Sequence, residues 1–214
     1  AFFLAIRQQR KDRRPALVVC PTTVISHWER LVTSFAPSLN PVTYHGSDRE
    51  FGEVRTGRHL ILTSYGVLRN DIDHLETLEL CAVVFDEAHC LKNAEILAHA
   101  AARRINAGVR IGLTGTPVEH AATDLRALMN LVLPGYFGSS ESFNTQFMSD
   151  GGAPTQRERA RLRAAVSPFV LRRVKSAVLR ELPPKIEDIR TCRLSGEQAS
   201  LYREALDTRA QSLL

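Results

Sequence analysis

The 214-residue sequence contains no apolar run that approaches the roughly 20 residues needed to span a bilayer. Its apolar start has no basic residue before it and no small-residue cleavage pattern after it, so it is a poor signal peptide. The four cysteines form no Cys-x-x-Cys pair and have no nearby ligand grouping, which argues against a zinc site or a redox motif. We therefore expect reduced thiols, a cytoplasmic setting and no membrane partner.

Lysine is also scarce, since only 4 of the 28 basic residues are lysines. The charge is uneven: ten basic and four acidic residues lie between Thr155 and Arg190, whereas the whole chain carries only +5. A basic segment beside a nearly neutral remainder suggests a polyanionic partner. For residues 157–163 alone, a solvated helix face is an equally good interpretation.

Short apolar runs alternate with amphipathic segments through the first two thirds of the chain. Strands are predicted at residues 16–20, 42–44, 59–64, 81–85 and 109–114, and helices at 22–35, 65–75 and 94–105, the first capped by Thr22 or Thr23. This order predicts an α/β fold with a parallel sheet covered by helices on both faces. Helices follow at 121–131, 141–148 and 157–166, then a strand or linker at 186–194. Ser195 and Gln198 have the spacing of a capping box that opens a final helix.

The most informative motif is Asp86-Glu87-Ala88-His89, which directly follows an apolar run. Two adjacent carboxylates at the end of a buried strand suit a magnesium-nucleotide site. One can hold the metal through its water shell, and the other can orient the attacking water. The structural alternative is that these acids only cap the next helix. A Gly-Lys-Ser/Thr loop that would grip phosphates occurs nowhere in the sequence, so the chain carries half of such a site.

Three other predicted strand ends carry small or hydroxyl-bearing residues. They are Pro21-Thr22-Thr23, Thr63-Ser64-Tyr65 and Thr114-Gly115-Thr116-Pro117. Because ligands bind outside the carboxyl ends of the strands in an open parallel sheet, we expect these segments and the Asp86–His89 motif to form one site. Trp28, the only tryptophan, shares a helical phase with Val24 and Val32, which favours a core or half-buried role over base stacking.

Taken in order, these segments resemble the first motor lobe of the Swi/Snf-like family, the DNA-translocating ATPases of helicase superfamily two. The series consists of Leu17–Thr23 with Trp28-Glu29, Tyr44-His45-Gly46, Leu62–Tyr65, Asp86–His89 with Lys92-Asn93, and Leu113–Pro117. Pro134–Gly138, Pro168–Lys175 and Glu181–Lys185 resemble the family's helical protrusion and interlobe linker. The resemblance implies a partial RecA-like lobe at 1–133, a helical protrusion and basic linker at 134–194, and the start of a second lobe at 195–214.

The resemblance also implies a role for each matching residue. Asp86 is similar to the family's magnesium-holding acid, Glu87 to the base that positions water, and His89 to the residue that communicates with the facing lobe. The motif that couples hydrolysis to lobe movement is matched by Thr114, Gly115 and Thr116. Contacts with the DNA backbone are implied for Pro21, Thr22, Thr23, Thr63, Ser64 and Tyr65. The linker contributes Arg172, Arg173 and Lys175.

ATP and Mg are the cofactors that this resemblance implies. Double-stranded DNA and a second motor lobe of the same chain are the implied partners, with DNA-bound proteins as further candidates. Relatives place the phosphate loop just before the helix that residues 1–9 continue. We therefore expect this chain alone to hydrolyse ATP negligibly and its parent to be a DNA-stimulated ATPase, nucleoid-associated in a bacterium or nuclear in a eukaryote. The alternatives are a strand-separating or RNA-directed helicase of the same superfamily, and a non-catalytic DNA- or protein-binding module.

Overall fold

The computed structural model describes residues 12–55, 60–92, 97–115, 122–148, 154–173, 188, 191–192 and 194–211. The chain divides into two compact units, residues 1–168 and residues 169–214. Within the described ranges, no helix is both long enough and apolar enough to cross a membrane. Of the strand or linker predicted at 186–194, only residues 188, 191, 192 and 194 are described, and none of these four is in a strand.

The first unit is built on a five-stranded parallel sheet in the order β2-β3-β1-β4-β5. The strands are β1 (Ala16–Cys20), β2 (Pro41–Thr43), β3 (Leu60–Ser64), β4 (Ala82–Asp86) and β5 (Arg110–Leu113). The register aligns Val19 of β1 with Thr63 on one side and with Phe85 on the other. Each strand lies within one residue of its predicted bounds. The predicted α/β fold with a parallel sheet is confirmed.

Both faces of the sheet are buried because the three central strands are apolar at nearly every position. Successive side chains of a strand point to opposite faces. Leu17 and Phe85 accordingly belong to one core cluster, and Val18 and Val84 belong to the other. The continuous apolar runs of the sequence therefore reflect two packed faces rather than one.

Helices cover both of these faces. The first helix is α1 (Ile25–Phe35), and it packs Ile25 and Val32 into the cluster that contains Val18. The opposite cluster receives side chains from α2 (Phe51–Arg55), α3 (Tyr65–Asn70), α4 (Ile72–Leu75) and α5 (Leu97–Arg104). The resulting three-layer arrangement leaves the strand ends as the place where polar residues can collect.

The helix predicted at 65–75 is in fact two helices that meet at Asp71. The Asp71 carboxylate accepts hydrogen bonds from Arg49 Nε at 2.6 Å, Arg49 Nη2 at 2.9 Å and the Tyr44 hydroxyl at 2.8 Å. These partners lie 22 and 27 residues earlier in the chain, so local sequence patterns do not reveal the contacts of Asp71. The Arg49 guanidinium, more than any other neighbour, holds the pKa of Asp71 below its ordinary value.

A separate helical core follows the sheet within the first unit. It is formed by α6 (Ala122–Val132), α7 (Ser140–Phe147) and α8 (Gln156–Val166), which enclose Met129, Phe143, Phe147, Leu162 and Val166. A capping box opens α8: Glu158 N donates to Thr155 Oγ1 at 3.3 Å, and Thr155 N donates to Glu158 Oε2 at 2.7 Å. Glu158 is buried, whereas Arg157 and Arg159 on either side of it are exposed.

The arginines of α8 do not form a single basic face. Residues four apart share a helix face, which pairs Arg157 with Arg161 and Arg159 with Arg163. All four side chains are exposed, while Leu162 and Val166 are buried. Arg161 lies over the Phe147 ring at 6.0 Å from its centroid, and Arg159 Nε donates to Pro154 O at 2.8 Å. Part of this cluster therefore packs on its own helical core.

The second unit is described at residues 169–173 and in α9 (Gly196–Gln211), with a few residues between. Ser195 N donates to Gln198 Oε1 at 3.0 Å, and Gln198 N donates to Ser195 Oγ at 3.3 Å. The predicted capping box at the start of α9 is confirmed. Arg172 and Arg173 are exposed, and Lys175 lies outside the described residues.

Candidate functional site

The carboxyl ends of the strands lie along one edge of the sheet because all five strands are parallel. After β1 the chain turns towards β2 and β3, whereas β4 leads to β5 on the other side. The end of β4 therefore lies beside the end of β1 at a topological switch point, where open α/β sheets bind ligands. Asp86 is the last residue of β4, and Pro21 directly follows β1.

Two hydrogen bonds orient the Asp86 carboxylate. Trp28 Nε1, from the second turn of α1, donates to Asp86 Oδ2 at 2.8 Å. The main-chain N–H of Glu87 donates to Asp86 Oδ1 at 3.0 Å. Each carboxylate oxygen can accept more than one hydrogen bond, so both keep capacity for a further donor. The side chain is half-buried, which leaves it open to a ligand.

Glu87 adopts the left-handed backbone conformation, with φ 50° and ψ 48°. Outside glycine this conformation is uncommon and costs about 1–2 kcal/mol. The unusual backbone ends β4 and starts the single 3₁₀ turn Ala88–Leu91. The Glu87 side chain is 45% exposed, so the turn presents the second carboxylate to solvent beside the first.

His89 joins two of the predicted motifs. Its Nδ1 lies 3.2 Å from Glu87 Oε2 and 3.3 Å from Thr114 Oγ1, at the end of the neighbouring strand β5. Thr114 is half-buried and Gly115 is exposed, whereas Thr116 lies outside the described residues. The structure thus brings the Asp86–His89 motif and the start of the Thr114 motif into direct contact, as the expected single site requires.

The Thr63-Ser64-Tyr65 segment uses its hydroxyls inside the protein. Thr63 is fully buried and donates to Tyr44 O at 2.8 Å. Ser64 is 3% exposed and caps α3 by accepting from Val67 N at 3.2 Å. Tyr65 is half-buried and donates to the main-chain oxygen of Asp86 at 2.6 Å. In this structure the hydroxyls of Thr63 and Ser64 face other protein groups and not solvent, and DNA contact by this segment stays a prediction.

The two threonines that follow β1 are exposed, in contrast to Thr63 and Ser64. Pro21 precedes a 3₁₀ turn, Thr22–Val24, which leads directly into α1. Neither Thr22 nor Thr23 caps the helix, because Val24 holds the cap position and no side chain bonds there; that part of the sequence interpretation was wrong. Both threonines are exposed. Neither hydroxyl is paired with another described residue, so both are available to a ligand.

Two thiols and one phenol complete the neighbourhood of Asp86. Burial, helped by the negative charge of Asp86, raises the pKa of the Cys20 thiol to about 11. Burial also raises the pKa of Tyr65, so its hydroxyl stays a neutral donor. All four cysteines are free, and Cys90 is exposed. At this edge, the Asp86 carboxylate is held by a hydrogen bond at each of its two oxygens.

Magnesium fits this arrangement. Mg²⁺ usually keeps several waters and is bound through one or two carboxylates plus substrate phosphates. Asp86 supplies one such carboxylate, held in place by two donors and with acceptor capacity left. Among the described residues no three His, Cys, Asp or Glu side chains cluster as a metal cage would need. The site therefore suits a cation that is carried mainly by water and phosphate.

Sequence reasoning missed the partner of Trp28. The helical phase correctly predicted a half-buried ring, which packs against the cluster that contains Val18. The hydrogen bond to Asp86 spans 58 residues. No local pattern relates the two positions, and only the parallel pairing of β1 with β4 brings them together.

Comparisons with known proteins agree with this geometry. A family model described as the SNF2-related domain matches residues 1–213. The chain is 34% identical over 228 residues to the SWI/SNF-related matrix-associated actin-dependent regulator of chromatin subfamily A containing DEAD/H box 1 of Bos taurus, covering 99% of this chain and 22% of that protein. It is 32% identical over 205 residues to the TATA-binding protein-associated factor mot1 of Schizosaccharomyces pombe, covering 89% of this chain and 10% of that protein. Among solved structures, the Sulfolobus solfataricus SWI2/SNF2 ATPase core in complex with dsDNA has a TM-score of 0.72 and 34% identity, covering 97% of this chain and 44% of that one.

The fold and the acids at the end of β4 define the class as a RecA-like lobe of helicase superfamily two. Within that class, the chain belongs to the SNF2-related domain family. The resemblance drawn from the sequence is confirmed. The chain spans about a fifth of the length of the Bos taurus relative.

Proposed function

We propose that this chain is the first motor lobe of an ATP-dependent translocase on double-stranded DNA. The observation that carries the proposal is the contact of His89 Nδ1 with both Glu87 Oε2 and Thr114 Oγ1. A nucleotide-dependent motor needs its water-orienting acid connected to the segment that couples hydrolysis to lobe movement, the role that the family resemblance implies for Thr114. His89 makes that connection between the ends of β4 and β5.

The roles at the end of β4 follow from chemistry and exposure. Asp86 would hold Mg²⁺ through water, and the metal would neutralise charge on the phosphates of ATP when bound. Glu87 is solvent-exposed and close enough to His89 to be held in position, which suits an acid that orients a water molecule. His89 would transmit the state of Glu87 to Thr114.

The proposed DNA contacts use the exposed segment after β1. Thr22 and Thr23 have free hydroxyls at the same edge of the sheet as Asp86. Hydroxyls and main-chain amides are suited to phosphate contacts, which position a translocase without reading base sequence. Arg172 and Arg173, exposed in the second unit, are proposed as linker residues together with Lys175. Thr63, Ser64 and Tyr65 stay proposed as DNA contacts, for which their hydroxyls would have to exchange the protein partners they hold in this structure.

The proposed organisation keeps three parts: a lobe at 1–133, a helical protrusion and linker at 134–194, and the beginning of a second lobe from 195. The second lobe of the same chain would close on the first during each ATP cycle. DNA-bound proteins are proposed as the objects that such movement displaces. The parent protein would be located in the nucleus of a eukaryote or in the nucleoid of a bacterium.

The decisive experiment measures ATP hydrolysis by the full-length protein with and without double-stranded DNA. We expect DNA to stimulate turnover and Glu87→Gln to lower the stimulated rate by about 10²- to 10⁴-fold, the usual contribution of general acid–base groups. Glu141→Gln, an exposed acid at the start of α7, is the matched control and should leave the rate unchanged. Wild-type turnover in Glu87→Gln would contradict the assignment of the base.

A second pair of assays separates translocation from strand separation. We expect the full-length protein to displace the third strand of a DNA triplex and to leave a plain duplex unseparated. Efficient duplex unwinding would favour the helicase alternative. The 214-residue chain alone should release phosphate negligibly, and clear turnover that depends on Glu87 would overturn that expectation.

A further inference from the structure

We propose that Trp28 is a positioning residue that sets the orientation of the Asp86 carboxylate for magnesium. The inference rests on the proposed function, because it concerns the metal-holding role of Asp86. It adds a residue from α1 whose side chain would act on the metal without touching it. The hydrogen bond from Trp28 Nε1 to Asp86 Oδ2, at 2.8 Å, is its basis.

Geometry makes this bond a fixed constraint. Trp28 is half-buried and packs against the core cluster that contains Val18 and Val84, so its ring cannot turn freely. The indole has only one polar hydrogen, which points along one direction from a rigid ring. Together with the Glu87 N–H on Oδ1, the indole determines both the plane and the tilt of the carboxylate. A carboxylate held at both oxygens presents its remaining lone pairs in one direction.

The chemical type of the donor matters as much as its position. An indole N–H is neutral, so it orients Asp86 without cancelling its negative charge. An arginine or lysine in the same place would form an ion pair and compete with Mg²⁺ for the carboxylate. Within the described ranges Asp86 forms no ion pair with a cationic side chain. The site therefore combines a fixed geometry with a full charge, and a divalent cation needs both.

Outer partners of metal-binding side chains are known to influence affinity. Their removal typically weakens metal binding or activity by about 10- to 100-fold, because the ligand then samples unproductive orientations. Asp86 keeps its Glu87 contact when Trp28 is changed, so we expect the lower end of that range. The predicted effect is about a tenfold increase in the Mg²⁺ concentration needed for half-saturation.

The test uses Trp28→Phe in the full-length protein, which keeps an aromatic ring and removes the donor. The measurement is the Mg²⁺ dependence of nucleotide binding, followed with a fluorescent ATP analogue and without hydrolysis. We expect half-saturation to rise about tenfold while binding at saturating Mg²⁺ is retained. Val32→Ala, in the same helix and the same core cluster, loses packing but no hydrogen bond, and should leave the Mg²⁺ dependence unchanged.

A second, spectroscopic measurement does not use the Trp28→Phe variant, so a folding defect in that variant cannot affect it. In protein labelled with 5-fluorotryptophan, one ¹⁹F resonance should shift in Asp86→Asn, and the same resonance should shift when Mg²⁺ is added to the nucleotide complex. The absence of any resonance that meets both conditions would overturn the proposal. An equal change in Mg²⁺ dependence in Val32→Ala would also overturn it, since packing alone would then explain the effect.

The same Mg²⁺ titration distinguishes failure of the proposed function from failure of the proposed role of Trp28. If the wild-type protein binds nucleotide without any dependence on Mg²⁺, the proposed function itself is wrong. If wild-type binding depends on Mg²⁺ and Trp28→Phe has the same half-saturation as wild type, only the role of Trp28 is wrong.

Discussion

Replacing Arg110 should destabilise the first unit more than any other single arginine change in its described part. Arg110 begins β5, and its guanidinium donates to four main-chain oxygens. Nη1 bonds Ala102 O and Leu131 O, both at 3.1 Å, while Nη2 bonds Arg103 O at 3.1 Å and also Ile105 O. These oxygens lie at the carboxyl ends of α5 and α6, where main-chain oxygens lack partners within the helix and carry the negative end of the dipole.

The magnitude follows from what Arg110→Met would remove. Methionine replaces the aliphatic stem but offers no donor. A hydrogen bond to a charged group contributes about 1.5–3 kcal/mol, and such contributions do not add fully when the acceptors are close together. Burial lowers the pKa of Arg110, which shows that desolvation of the charge offsets part of the gain. We therefore expect a net loss of about 3 kcal/mol in the free energy of unfolding.

Urea unfolding followed by far-ultraviolet circular dichroism measures this loss, and amide hydrogen exchange locates it. Protection should fall at the ends of α5 and α6 before it falls in β1. Arg103→Met is the matched control, because Arg103 is exposed and donates no side-chain hydrogen bond to a described residue. Its expected effect lies within about 0.5 kcal/mol. A loss below about 1 kcal/mol for Arg110→Met, or equal losses in the two variants, would refute the reasoning.

Two further predictions concern the edges of the same sheet. The pKa of Asp71 is lowered, mainly by Arg49, so the stabilisation from this carboxylate is complete above its ordinary pKa of 3.8 and is lost as the pH falls through the lower folded value. Between about pH 5 and pH 2.5, the melting temperature should therefore fall less with decreasing pH for Asp71→Asn than for wild type. The control Asp48→Asn should follow wild type. Equal dependence of the melting temperature on pH in Asp71→Asn and wild type would count against the Arg49 contact. At Gly115, an added Cβ would meet no atom of the described residues within 4 Å, so Gly115→Ala should change the free energy of unfolding by less than about 0.5 kcal/mol. Its DNA-stimulated ATPase rate should nevertheless fall several-fold, since alanine narrows the backbone freedom that a coupling segment needs, and a wild-type rate would remove that role from Gly115.

The order of the elements could be predicted because each depends on neighbours in the chain. The apolar run at 16–20 is long enough for a buried strand and too short for a helix. The capping box of Ser195 and Gln198 involves residues three apart, so composition and spacing were sufficient. The same holds for the position of Asp86 at a strand end, which follows directly from the apolar residues before it.

The details of the site depended on contacts between distant segments. At Asp71, where the helix predicted at 65–75 divides in two, the carboxylate is held by Arg49 and Tyr44 from distant parts of the chain. The hydroxyls of Thr63 and Ser64 could serve DNA or the protein, and sequence alone does not distinguish the two uses. Burial at the junction of β3 with α3 directs both of them inward.

By itself, the sequence determined the parallel α/β lobe, the family and the two acids that follow β4, because periodicity and motif order are properties of the chain. Tertiary structure alone decided which groups act on those acids. His89 meets Thr114 because β4 pairs with β5, and Trp28 meets Asp86 because β1 pairs with β4. Strand order is a choice among long-range pairings of similar apolar segments, and local sequence does not encode that choice. The single tryptophan of the sequence therefore acquires its partner Asp86 only when the sheet has formed.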